Sequence, residues 1–225
     1  MMGREFYHTS PEHSISSRIA ATSTLFCLLA WLFSYPSKEQ VEAISSPEFF
    51  KEVRSLIKTA ALPFSSLEGF FPLDSPSVSN FRAEYTRLYI SPPPSICLLG
   101  SRWVKKRTEL SKARGEQLAV KEEYRKLGLK LRADVTEPAD HLVSELDYMC
   151  YVTEAEADAW KGDDIASARE WRAIGSTFLA DHLADVALGA ASQIKRLSTN
   201  SLMLFNAALL ELMIIGTDPS YETPQ

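Results

Sequence analysis

An all-α fold, a single bundle-like globule, is what this 225-residue chain predicts, and three observations carry it. Apolar residues recur at helical rather than alternating spacing along almost the whole length. Serines, aspartates, prolines and glycines stand where helices start and stop. One segment, Leu129 to Val135, has the composition of a strand, but with no second strand to pair with it reads as an extended connector.

Taken in order, residues 1–13 are read as a flexible N-terminus and residues 14–216 as the helical domain. The stretch from Ser14 to Tyr35 carries Ile15, Ile19, Leu25, Phe26, Leu29, Leu32 and Phe33 and stops at Pro36. Ser37 with Gln40 three residues on makes a capping box for a short helix. Ser46 followed by Pro47 opens another, whose Phe50, Val53 and Ile57 share a face. Phe64 to Leu73 reads as a short apolar turn or helix punctuated by Pro72 and Pro76. Val78, Phe81, Tyr85, Leu88 and Tyr89 form the next stripe, which ends at Pro92-Pro93-Pro94. A basic connector leads to a helix from about Glu116, with Leu118, Tyr124 and Leu127, that finishes at Gly128 in the C′ position.

Thr136 is then the expected N-cap of a helix with Pro138 and Asp140 in its first turn, running to about Trp160 and burying Leu142, Leu146, Met149 and Val152. Asp140 there would be favoured by the helix dipole, and His141 beside it is the side chain most easily switched near neutral pH. Asp163 or Asp164 caps a long helix with Trp171, Phe178, Leu179 and Leu183, in which Gly175 marks a close-packing point. Ser198 starts a final helix through Leu202, Phe205, Leu209 and Met213 that closes at Gly216. Residues 217–225 are read as a mobile tail.

Composition excludes several classes. An apolar fraction of 45% with 24% charged residues is ordinary for a globular protein, and a net charge of −5 does not suggest bulk nucleic-acid binding. Cys27, Cys97 and Cys150 are widely spaced and read as thiols in a reducing compartment. The apolar run Leu25 to Phe33 falls short of the roughly 20 residues of a membrane span. No A-x-A-like cleavage site accompanies it, so a cytoplasmic protein is expected. No phosphate-binding, dinucleotide-binding, nucleophile-elbow or H-E-x-x-H motif is present. Glu137, His141 and Glu145, at i, i+4 and i+8, form a possible metal stripe, which would need His182 with Asp181 or Asp185 from another helix. That pattern leaves an all-α metal-dependent hydrolase as an alternative, but neither catalysis, a metal nor a cofactor is expected.

The run Glu137-Pro138-Ala139-Asp140-His141-Leu142 followed by Glu145-Leu146 and Met149 resembles the signature of the cytoplasmic chaperones that mature molybdoenzymes, the TorD/DmsD type of redox enzyme maturation protein. Further pieces fall in that family's order between about residues 20 and 215. Glu84-Tyr85-Thr86-Arg87-Leu88-Tyr89 with the following prolines is similar to its Y-x-R-L-F helix end and proline loop. Leu118 to Leu129 resembles the segment leading into the signature, and Phe178-Leu179-Ala180-Asp181-His182-Leu183 its F-L-x-x-H-L helix. Three departures stand out. Val186 lies near a place where the family often has tryptophan, Ile96-Cys97 follows the prolines where an aromatic is frequent, and the basic stretch Gly100 to Arg114 is longer than usual.

The resemblance implies a single domain of roughly ten helices and no enzymatic activity. It also implies a client: the twin-arginine signal peptide and apo-catalytic subunit of a molybdoenzyme of the DMSO/TMAO reductase family, held before cofactor insertion and export. A nitrate-reductase-type assembly chaperone attending a non-exported client is the alternative. Peptide-binding residues implied are Tyr85, Leu88 and Tyr89 on one wall of a groove and Pro138, Asp140 and His141 on the other, while Phe81 is read as core. Tyrosine suits such a wall because it joins a rigid apolar face to a polar tip.

Overall fold

The computed structural model describes residues 14–63, 67–69, 78–103, 109–131 and 137–217. The described residues are helical without strands, apart from one isolated bridge between Leu99 and His141. Most of Phe64 to Leu73, the connector residues 132–136 with Thr136, both terminal segments and part of the basic connector lie outside the described residues.

Helix α1 (Ile15–Leu32) starts on the Ser14 side chain, which accepts the Ser17 amide. It has the length and apolarity of a membrane span, yet it packs along α6 (Leu142–Lys161), α3 (Pro47–Thr59) and α9 (Ser201–Thr217). Leu25, Phe26 and Leu29 are wholly buried there. Ser16 donates to the Ala157 carbonyl and Ser23 to that of Cys150, so α1 and α6 run antiparallel. Helix α9 is apolar almost all round and buried from Leu202 to Ile214, the pattern of a helix enclosed by others. Among the described residues, these contacts form one core.

The capping box of α2 (Lys38–Ile44) is present in full, with Ser37 and Gln40 exchanging side-chain-to-backbone bonds. Helix α3 begins at Pro47 on Ser46, and Phe49 with Val53 and Ile57 lines its buried side while Phe50 is half-buried. Helix α4 (Val78–Tyr85) widens into a π-turn at Thr86–Ile90 before the prolines. Helix α5 spans Glu109–Lys126, about two turns longer at its start than the pattern suggested. Among its described side chains Glu116, Val120 and Tyr124 are buried, whereas Leu118 is 64% exposed. Gly128 closes it at φ +71° as expected of a C′ glycine.

Helices α7 (Ile165–Phe178) and α8 (Ala184–Leu197) are joined without a break by a second π-turn at Leu179–Leu183. Asp164 caps α7. A Cβ on Gly175 would meet Val152 at 3.2 Å, so α6 and α7 touch closely there. The final helix starts on Asn200, whose side chain accepts the amides of Leu202 and Met203. Ser198 instead receives the Asn200 amide and donates to Glu84.

Cys27 of α1 and Cys150 of α6, 123 positions apart in sequence, form a disulfide with Cα atoms 5.2 Å apart, which corrects the reading of three thiols. Cys97 is free. Protein prepared in air and then unfolded is expected to titrate as one thiol, and as three after reduction. Reduction should lower stability by about 2–4 kcal/mol, because the link constrains a long loop in the unfolded chain. Three thiols before reduction would show that the two cysteines are neighbours without a bond, the state a reducing compartment favours.

Candidate functional site

The α6 helix does not start where local signals put it. Residues 137–141 form a turn, His141 is the N-cap and Leu142 is the first helical residue. The reason is a tertiary tie. The Leu142 amide donates to the Leu98 carbonyl at 2.8 Å, and Gly100 to the Asp140 carbonyl at 2.7 Å, so the turn is stitched to the chain that follows the prolines. That chain is held in turn by the Ile96 amide on the Leu88 carbonyl and by the Trp103 indole, which donates to the Cys97 carbonyl at 2.8 Å.

On the other side, the end of α1 fixes α4. The Tyr85 hydroxyl donates to the Phe33 carbonyl at 2.9 Å, and Arg82 to that of Pro36 at 2.7 Å. Tyr85 and Tyr89 meet edge to face at 4.8 Å, and Tyr35 stands against Tyr85 at 5.5 Å. Between these walls lies a groove of about 900 Å³. Phe33, Tyr35, Tyr85, Tyr89 and Ile96 line one side, and His141, Ser144, Tyr148 and Tyr151 the other. Glu137 and Asp147 add carboxylates to its lining, with Lys130 the one lysine or arginine there among the described residues.

The implied residues separate into two groups. Tyr85, Tyr89 and His141 line the groove together. Leu88, Pro138 and Asp140 do not. Leu88 is fully buried in the core, on the inner side of the π-turn. Asp140 is 2% exposed and its carboxylate accepts the Ser101 amide at 3.0 Å, so it secures the loop rather than facing a ligand. Pro138 precedes α6 instead of opening it, and its carbonyl takes the His141 amide. Ser144, Tyr148, Tyr151 and the Ile96 region were missed. Their signal was present, since 141, 144, 148 and 151 follow one helical face.

His141 Nδ1 accepts the Val143 amide at 3.3 Å. This bond assigns the proton to Nε2 in the neutral ring. Burial pushes the imidazole pKa down, against the pull of Glu137 and Asp140, so the ring is neutral at pH 7. Burial also pushes the Tyr85 hydroxyl up to about 12, helped by Glu137 and Tyr35. The hydroxyl of Tyr148 is likewise raised to about 12 by burial and by Glu123. The groove therefore offers neutral hydrogen-bonding tips on an apolar surface.

Behind the second wall sits Glu145, wholly buried and with no partner for either carboxylate oxygen. A Cβ on Gly100 would come within 3.0 Å of it. Glu145 is not among the residues that line the groove with His141. His182 Nδ1 lies 2.7 Å from the Glu116 carboxylate. The stripe of Glu137, His141 and Glu145 is accordingly dispersed, and no metal-holding group of three acid, histidine or cysteine side chains occurs among the described residues.

Comparison with known proteins gives one match. No curated protein and no solved structure matches the chain. The family model described as nitrate reductase delta subunit matches residues 55–185, more than half of the chain, from within α3 through both the α4 and α6 walls to the start of α8. That family stands in the same TorD/DmsD/NarJ superfamily to which the motifs pointed, and on its nitrate-reductase side. On this match and this helical architecture, the chain belongs to the nitrate reductase delta subunit family, whose members are non-catalytic assembly chaperones.

Proposed function

We propose that this protein is an assembly chaperone for the apo-catalytic subunit of a nitrate-reductase-type molybdoenzyme, acting in the cytoplasm, and that the tyrosine-lined groove holds a segment of that client. The observation that carries the groove's role is where apolar surface is exposed. Tyr35, Ile90, Leu131 and Tyr151 are each 36% or more exposed, and all four line this groove. A concentration of large exposed apolar side chains marks an interaction surface. The apolar lining of the groove suits an apolar stretch of a flexible client segment. Ordering a flexible segment consumes part of the interaction, so an affinity in the micromolar range, about −8 kcal/mol, is expected.

The family match favours this branch over the twin-arginine leader of a DMSO/TMAO reductase, which the motif resemblance put first. Calorimetry against two peptide sets separates them: N-terminal segments of nitrate-reductase-type catalytic subunits, and twin-arginine leaders. Binding of the first set with little for the second is the expected result. Ile90→Glu should abolish that binding with an unchanged melting temperature, since Ile90 is 51% exposed. Full binding by this variant would remove the groove from the mechanism, and preference for leaders would restore the other client.

A further inference from the structure

Helix α1 leads directly into one wall of the groove, at Phe33 and Tyr35, and α6 carries the other through His141, Ser144 and Tyr151. A covalent bond ties these two helices where they lie antiparallel. Cys27 stands six positions before Phe33, about 9 Å along the helix, and Cys150 immediately precedes Tyr151. Ser23, one turn before Cys27, donates to the Cys150 carbonyl at 2.9 Å and holds the two backbones in that register. The link is open to solvent on one side, since Cys27 is exposed while Cys150 is half-buried. A disulfide open to solvent is the labile kind.

We infer that Cys27 and Cys150 are a thiol–disulfide exchange site, entered at Cys27, that regulates the groove: the bonded state fixes the spacing of the two walls and holds the client segment more tightly than the dithiol does. This rests on the groove being the client site. Exposure decides the point of entry, because an external thiolate must reach the sulfur that it attacks. A thiolate of the glutathione class attacks Cys27 Sγ, the bond to Cys150 breaks, and Cys150 leaves as a thiolate that takes up a proton. A second small thiolate then attacks the small-molecule sulfur of the mixed disulfide and frees Cys27. The net reaction converts the protein disulfide and two small thiols into the protein dithiol and one small-molecule disulfide, and oxidation is its reverse. In the reducing cytoplasm the dithiol is the resting state and oxidation the signal. The bonded state binds more tightly because a wall fixed beforehand has less freedom to lose when the segment docks.

Calorimetry with the peptide that the wild-type protein binds, run on the oxidised protein and on protein reduced in glutathione, tests it, with thermal melting as the check that both forms are folded at the assay temperature. The reduced form is expected to bind about 3- to 10-fold more weakly. Across glutathione buffers of rising oxidised share, the protein should pass from three thiols to one, and affinity should recover in step. Cys27→Ser should bind as the reduced form does in every buffer. In Cys150→Ser, exposure to oxidised glutathione should leave an adduct on Cys27, read by mass spectrometry. Equal affinity of the two folded forms overturns the inference and leaves the groove standing, as does weakening that tracks unfolding of the reduced form. So does a Cys27→Ser affinity that still follows the buffer, a pair that stays in one state across all of them, or a Cys27 that takes no adduct. If neither form of the folded wild type binds peptide, the groove reading itself fails and takes this inference with it.

Discussion

Glu145→Gln is expected to stabilise the protein at neutral pH by about 1–3 kcal/mol. For a chain of this size that is a melting temperature several degrees higher, at about 2–4 °C per kcal/mol. Glu145 is wholly buried with both oxygens unpartnered. Its pKa is raised well above 4.5, first by burial and then by the charges of Glu116 and Asp140. The sign of the pH dependence follows. Below 4.5 the group is protonated in both states and imposes no charge penalty. Between 4.5 and its raised folded value the unfolded chain gives up the proton and the folded one keeps it, so stability falls as pH rises. Above the folded value the full penalty is present. Gln removes this slope while keeping the shape, so melting curves of the two proteins should converge toward acid pH and separate toward neutrality. A constant difference across that range would mean that Glu145 is not the titrating group.

Gly189→Ala should destabilise the fold by about 1–3 kcal/mol, the range for overpacking, and also weaken client binding. A Cβ at Gly189 would clash with the indole ring of Trp103, so the ring rests directly on the α8 backbone. That ring is the anchor of the chain after the prolines, through its bond to the Cys97 carbonyl. Ile96, Cys97, Leu98 and Leu99 all line the groove, and pushing Trp103 away should move that wall. Urea denaturation and calorimetry on the same variant read the two effects together. Loss of stability with normal binding would show that the wall is held by the Leu98–Leu142 and Gly100–Asp140 bonds without Trp103.

Local chemistry was legible to the residue. The α2 capping box, the Ser46-Pro47 start of α3 and the positive φ of Gly128 involve atoms a few residues apart or a single backbone requirement. So was one wall of the groove, Tyr85 and Tyr89, and the corner His141. Errors came where distant chain competed. Thr136 and Pro138 form a sound local helix start, yet the pairing of Leu98 and Gly100 with Leu142 and Asp140 sets the first helical residue at Leu142. Asp140 looks like a polar contact for a ligand until Ser101, 39 residues away, is seen to donate to it. Tyr124 is buried as its place in the apolar period of α5 suggests, but Leu118, which fits the same period, faces out and Val120 is turned inward in its stead.

By itself the sequence determined the helical class, the order of elements and the family, because periodicity, caps and ordered motifs are properties of neighbouring residues. The tertiary structure decided which faces meet. It joined Cys27 to Cys150, buried Leu88 and Glu145, and left the Tyr148 hydroxyl closed off beside the groove. Pairings of that kind depend on where helices far apart in the chain come to rest against each other, which no local pattern encodes.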